Sequence, residues 1–134
     1  MRNLPLVILV LAFGIQLGSA EEVWSSFVRS NRYDFKVTDE MIAKTPVWRE
    51  KDDHPPLSER EALNLASIRL ADLNFDSKEW KLDTLSLKEL DDRRWVYLAV
   101  FKSLVLSQSS PVTVTIPITM TGYAVSPRVT PLDK

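Results

Sequence analysis

Arg94-Trp95-Val96-Tyr97-Leu98-Ala99-Val100-Phe101-Lys102 puts Trp95, Tyr97, Ala99 and Phe101 in one phase and Val96, Leu98 and Val100 in the other. Successive side chains of a strand point to opposite faces, so a run that is apolar in both phases is covered on both sides. It reads as the central strand of a sheet. Upstream, Asp91-Asp92-Arg93 makes a turn. Before it, Trp80 and Leu82 share one phase while Leu85 and Leu87 take the other, which predicts a bulge near Thr84. Downstream, Ser107 to Pro111 is a polar connection. Val112, Val114, Ile116, Ile118 and Met120 then alternate with Thr113, Thr115, Pro117 and Thr119. Pro117 has no N–H to donate, which predicts an edge strand or a bulge there. Thr121-Gly122 turns the chain into a short last strand, Tyr123 to Ser126, stopped by Pro127.

The segment before this meander is helical in period. Ser58 and Glu61 form a Ser-x-x-Glu capping box, so a helix starts at Glu59. Ala62, Leu63, Ala66, Leu70 and Leu73 recur on one side, with Leu65 and Ile68 on the flank. Arg69 interrupts the stripe and is expected to snorkel outward, and Asn74 supplies the left-handed terminator. The expected architecture is α+β: one main amphipathic helix packed on a three- to four-stranded antiparallel meander, spanning residues 55–134.

Residues 21–54 read as an N-terminal arm and linker. Trp24, Phe27, Tyr33, Phe35 and Trp48 are mixed with charges without a sustained period. Thr38 to Lys44 makes one or two helical turns limited by Pro46, and Trp48 anchors the arm to the main domain. His54-Pro55-Pro56 forbids helix at the junction.

Residues 1–20 read as a cleavable signal peptide. Arg2 precedes an apolar run from Leu4 to Leu17. Those 14 residues would reach about 21 Å as a helix, short of the roughly 30 Å of a bilayer core. Gly18-Ser19-Ala20 supplies small residues for cleavage between Ala20 and Glu21. The chain after that point is expected in the periplasm or outside the cell, with no membrane-crossing segment. Removing Arg2 takes the formal net charge from −1 to −2. Near-neutral, interspersed charge argues against a nucleic-acid partner. Absence of cysteine excludes thiol catalysis and thiolate metal sites, and in an exported chain it leaves stability to packing alone.

The catalytic inventory is thin. A phosphate-cradling loop needs several glycines, and after residue 20 there is only Gly122. Asp52, Asp53 and His54 are metal-compatible and include the only histidine, but neighbours beside two prolines do not converge on one ion without ligands from elsewhere. Asp72, Asn74 and Asp76 match the first ligand positions of a calcium loop, with Asp83 at the twelfth. Ser77, however, stands where that loop needs glycine, and the helix end already accounts for Asp72 and Asn74. Arg29, Arg32 and Lys36 interleaved with Phe27, Tyr33 and Phe35 imitate a nucleic-acid stripe, but Asp34 interrupts it and a solvated arm face accounts for it better. No cofactor is implied.

The order of a capped helix at Ser58, a meander, and the closing Thr121-Gly122-Tyr123-Ala124-Val125 turn is similar to PepSY-type domains, with their cystatin-like two-layer arrangement. It also resembles small exported proteins of bacteria. The resemblance implies a non-catalytic envelope module that binds or restrains a partner protein, proteases being the partners usually proposed for that family. The expectation is therefore an exported binding module acting on another envelope or secreted protein. The alternatives are a hydrolytic or metal-dependent enzyme built on Asp52, Asp53 and His54, and a structural envelope component.

Overall fold

The computed structural model describes residues 19–52, 54–107 and 111–132. The apolar run Leu4 to Leu17, Gly18 and Asp53 lie outside the described residues. The elements are β1 (Glu22–Val28), β2 (Asn31–Val37), α1 (Asp39–Ala43), α2 (Glu59–Asp72), β3 (Trp80–Asp91), β4 (Arg94–Ser107), β5 (Pro111–Thr119) and β6 (Arg128–Pro131). Strands take 49% and helices 17% of the described residues, in two antiparallel three-stranded sheets. Their orders are β1-β2-β6 and β3-β4-β5.

This overturns the expectation of one main helix on a single meander. The β3-β4-β5 sheet and the helix both form, but the stretch read as an arm builds a second sheet. Its key is β2, where Tyr33, Phe35 and Val37 are buried and alternate with outward Arg32, Asp34 and Lys36. β1 pairs with it from Glu22↔Val37 to Val28↔Asn31 through a two-residue turn, with Arg29 in the left-handed region at φ 55°. Such turns favour Gly or Asn at positive φ, so an arginine there conceals the hairpin from sequence reading. The inward side chains Val28, Tyr33, Phe35 and Val37 belong to the same hydrophobic cluster as Ala62, Tyr97 and Ile116.

The two sheets meet where β1 runs against β5. The buried Ser26 hydroxyl accepts from the Thr115 N–H at 3.3 Å, standing in for the strand partner that the edge of β5 lacks there. Pro117 sits fully buried in β5 opposite Leu98, and its carbonyl accepts from the Val125 N–H at 2.9 Å. An edge position is thus where the proline is tolerated.

α2 starts as its capping box dictates. Ser58 Oγ accepts from the Glu61 N–H at 3.2 Å, and Glu61 Oε1 accepts from the Ser58 N–H at 3.3 Å. It buries only Ala62, Ala66 and Leu70, a narrow, small-residue stripe, while Ile68 is exposed. The helix therefore covers one part of the core instead of forming a layer. Asn74, at φ 66°, ends it as expected. Arg69 does not point away to solvent: its Nε and Nη2 donate to the Ala124 carbonyl at 3.1 and 2.8 Å, pinning the helix to the segment after β5.

Two further details correct the expected meander. Residues 123–126 do not form a strand; Ala124 makes an isolated bridge to Ile118, after a turn in which Gly122 at φ 92° donates to the Thr119 carbonyl at 3.0 Å. The last strand is β6, which pairs with β2, from Asn31↔Pro131 to Asp34↔Arg128. The expected bulge near Thr84 is present between Leu82 and Thr84. Trp48 is buried against Trp95, with ring centroids 5.5 Å apart and edge-on, and its carbonyl accepts from Trp95 Nε1 at 2.9 Å.

Candidate binding face

Burying one face of a two-sided sheet leaves the other to solvent, and in the β1-β2-β6 sheet that outer face is not simply polar. β1 projects Val23, Ser25 and Phe27 outward, and β2 projects Arg32, Asp34 and Lys36 opposite them. The register sets Val23 against Lys36, Ser25 against Asp34 and Phe27 against Arg32, and β6 adds Arg128 beside Asp34. Val23 is 52% and Phe27 58% exposed. Between these side chains lies a shallow groove of about 490 Å³ lined by Val23, Ser25, Phe27, Arg32, Asp34, Lys36 and Arg128.

The single carboxylate of the groove is occupied. Ser25 Oγ donates to Asp34 Oδ1 at 2.5 Å, and Arg32 Nε donates to Asp34 Oδ2 at 3.0 Å. The Ser25 hydroxyl holds the Asp34 carboxyl below the usual carboxylate range; partial burial opposes this, and the Arg32 contact and the charge of Arg128 reinforce it. Lys36 Nζ lies 3.3 Å from Glu21 Oε1 at the rim. Ser25 gives its hydrogen to the Asp34 carboxylate, whose lowered proton affinity makes it a weak base toward that oxygen. What it offers is apolar surface directly flanked by guanidinium and ammonium groups, a combination suited to holding an anionic group next to an apolar one.

The described residues weighed from sequence as metal ligands lie elsewhere and do not converge. Asp52 accepts from the Arg49 N–H at 3.2 Å. His54 is exposed and lines a cavity of about 460 Å³ with Pro55, Ser58, Glu59, Arg60 and Tyr97, where the Ser58 hydroxyl is committed to the helix cap. Asp72 pairs with Arg69 at 3.2 Å, Asp76 Oδ1 accepts from the Lys78 N–H at 2.9 Å, and Asp83 is exposed on β3. The strand that begins at Trp80 separates Asp83 from the helix end, so the four do not form one loop. Among the described residues no three His, Asp or Glu side chains are grouped to hold a metal. Ala20 and Glu21 sit beside a different cavity, at the start of β1.

Sequence reading missed Val23 and Arg128 and placed Phe27, Arg32 and Lys36 on a solvated arm. The strict alternation of residues 32–37 carries the signal for β2 and its outward charges. Nothing local marks Arg128, which reaches the face only because β6 returns to β2. No helix among the described residues is long and apolar enough to cross a membrane. No protein-family model matches the chain, and no curated protein or solved structure matches it significantly.

Proposed function

We propose that this chain is an exported, non-catalytic binding module, and that it holds an acidic, apolar-bearing extended segment of another envelope or secreted protein on the outer face of the β1-β2-β6 sheet. The observation that carries this reading is the pairing of exposed Val23 with Lys36 and of exposed Phe27 with Arg32 across one sheet face. Three cations, Arg32, Lys36 and Arg128, line the groove against two carboxylates, Asp34 engaged by Ser25 and Arg32 and Glu21 at the rim beside Lys36, which leaves a net positive charge. Charge complementarity therefore selects an anionic partner, while Phe27 and Val23 select one with apolar side chains between its charges. An extended segment fits because its alternating side chains match the spacing of the strands beneath.

The test uses two labelled peptides of equal length, one alternating glutamate with leucine and one alternating lysine with leucine, titrated with the chain from Glu21 onward. Fluorescence anisotropy should show binding of the acidic peptide alone, weakened by salt. Phe27→Ser and Arg128→Glu, both on the solvent side, should each weaken it about tenfold or more without moving the denaturation midpoint. Equal binding of both peptides, or unchanged binding by both variants, contradicts the proposal.

A further inference from the structure

The β3-β4-β5 sheet has one occupied edge and one free edge. On β5 the Thr115 N–H goes to Ser26, the Pro117 carbonyl to Val125 and the Thr119 N–H to Tyr123, all away from β4. Their partners on β4, Val100, Leu98 and Val96, therefore aim their own N–H and C=O groups at β3, where they meet Thr84, Ser86 and Lys88. The alternate residues Leu85 and Leu87 point theirs off the far edge. Among the described residues no strand pairs with that edge and no backbone group bonds to it.

The other edges are taken or blunted. β1 runs against β5, and β6 has four residues ending in Pro131, which has no N–H to offer. β3 runs for 12 residues, with register shifts only between Leu82 and Thr84 and between Glu89 and Asp91, so the stretch from Thr84 to Glu89 is regular. Its one lysine, Lys88, is engaged by Glu22 at 3.7 Å.

We propose that a second copy of this chain docks on the free edge of β3, antiparallel and two-fold, joining the two β3-β4-β5 sheets into one. A two-fold axis through the sheet keeps every side chain on its own face. An axis at Leu85 sets Leu87 against Asp83, and one at Leu87 sets Leu85 against Glu89. An axis at Ser86 sets Leu85 against Leu87 of the second copy, on the face that already carries Ala99 and Tyr97. The same axis lets the outward N–H and C=O groups of these two residues bond each other. Asp83 and Leu90 are the extra residues at the two shifts, one on each side of Ser86, so the count holds beyond them. Leu82, 40% exposed, then opposes Leu90, and Lys81 opposes Asp91. The one like-charged pair, Asp83 against Glu89, falls at the bulges, where the ladder is already interrupted.

The chain has no cysteine, so an introduced thiol reports a single contact. The purified full-length chain in detergent micelles is oxidised with copper phenanthroline and resolved on a non-reducing gel. Ser86→Cys should form a disulfide dimer, because residues facing across the axis in a non-hydrogen-bonded pair lie about 4.5 Å apart at Cα, within disulfide reach. Thr84→Cys alone places its two thiols about 14 Å apart along the ladder and should give on the order of tenfold less dimer, as should Lys88→Cys alone. Mixing those two variants should restore it, and adding Ser86→Lys to both should lower the mixed yield several-fold by setting two ammonium groups face to face. In reductant each variant should unfold at the parent's midpoint. Equal yields from all three single cysteines, no gain on mixing, or no dimer from Ser86→Cys overturns the proposal.

Discussion

The Tyr97 phenol donates a 2.6 Å hydrogen bond to the Leu57 carbonyl, in a fully buried site that joins the central strand β4 to the segment just before α2. Tyr97 is 1% exposed, so neither partner has water to replace the other. Tyr97→Phe should therefore cost about 1–3 kcal/mol, the usual penalty for leaving a buried polar group unsatisfied, read as a lower denaturation midpoint.

The same residue predicts an alkaline limit. Burial, backed by the Glu59 and Glu61 carboxylates, raises the Tyr97 phenol above its ordinary value. An unfolded tyrosine ionises near pH 10, so above that pH the unfolded chain binds fewer protons than the folded one. The stabilisation is complete below about pH 10 and is lost as pH rises through the folded value. A stability series from pH 8 to 12 should decline less steeply in Tyr97→Phe than in the parent chain.

Ser58→Ala removes the acceptor for the Glu61 N–H and so breaks the side-chain half of the capping box, while the backbone N–H of residue 58 can still donate to Glu61 Oε1. The expected loss is about 0.5–2 kcal/mol. An unchanged midpoint would mean that the start of α2 contributes nothing to the stability of the fold.

Phe35 decides whether the hairpin belongs to the core. It is 0% exposed and clusters with residues of the other sheet. Phe35→Ala should cost about 3–5 kcal/mol through lost burial and the cavity left behind. A substitution on a loosely attached arm would cost less than about 0.5 kcal/mol, so a denaturant melt separates the two pictures.

His54→Ala, or addition of a chelator, should shift the midpoint by less than about 0.5 kcal/mol, since His54 is exposed and Asp52 is engaged by Arg49. A larger loss in either experiment would reinstate a metal site around Asp52 and His54.

The parts legible from sequence were those with local signatures. Ser58 and Glu61 marked the start of α2, the two apolar phases of residues 95–101 marked β4 as central, and the phase change between Leu82 and Leu85 marked the bulge. The second sheet was less accessible. Its hairpin turns at Arg29, which takes a left-handed backbone without being Gly or Asn, and in β1 only Ser26 and Val28 are buried, one of them polar, which blurs its apolar alternation. β6 pairs with a strand nearly a hundred residues earlier, through the register Asp34↔Arg128, and no local pattern encodes that partner. The candidate face shared this fate, because it exists only once Arg128 is brought beside Asp34. The helix misled for a different reason: its apolar stripe is real, but Ala62 and Ala66 bury too little to make it a layer.

The most direct test of the binding face is residue-resolved. Amide chemical shifts of the chain from Glu21 onward should be recorded during titration with the alternating glutamate–leucine peptide. The account predicts that shifts concentrate at Val23, Ser25, Phe27, Arg32, Asp34, Lys36 and Arg128, the residues of one sheet face, and vanish in Arg128→Glu. Shifts clustered instead around His54, Ser58 and Tyr97, or no saturable shifts at all, would contradict it.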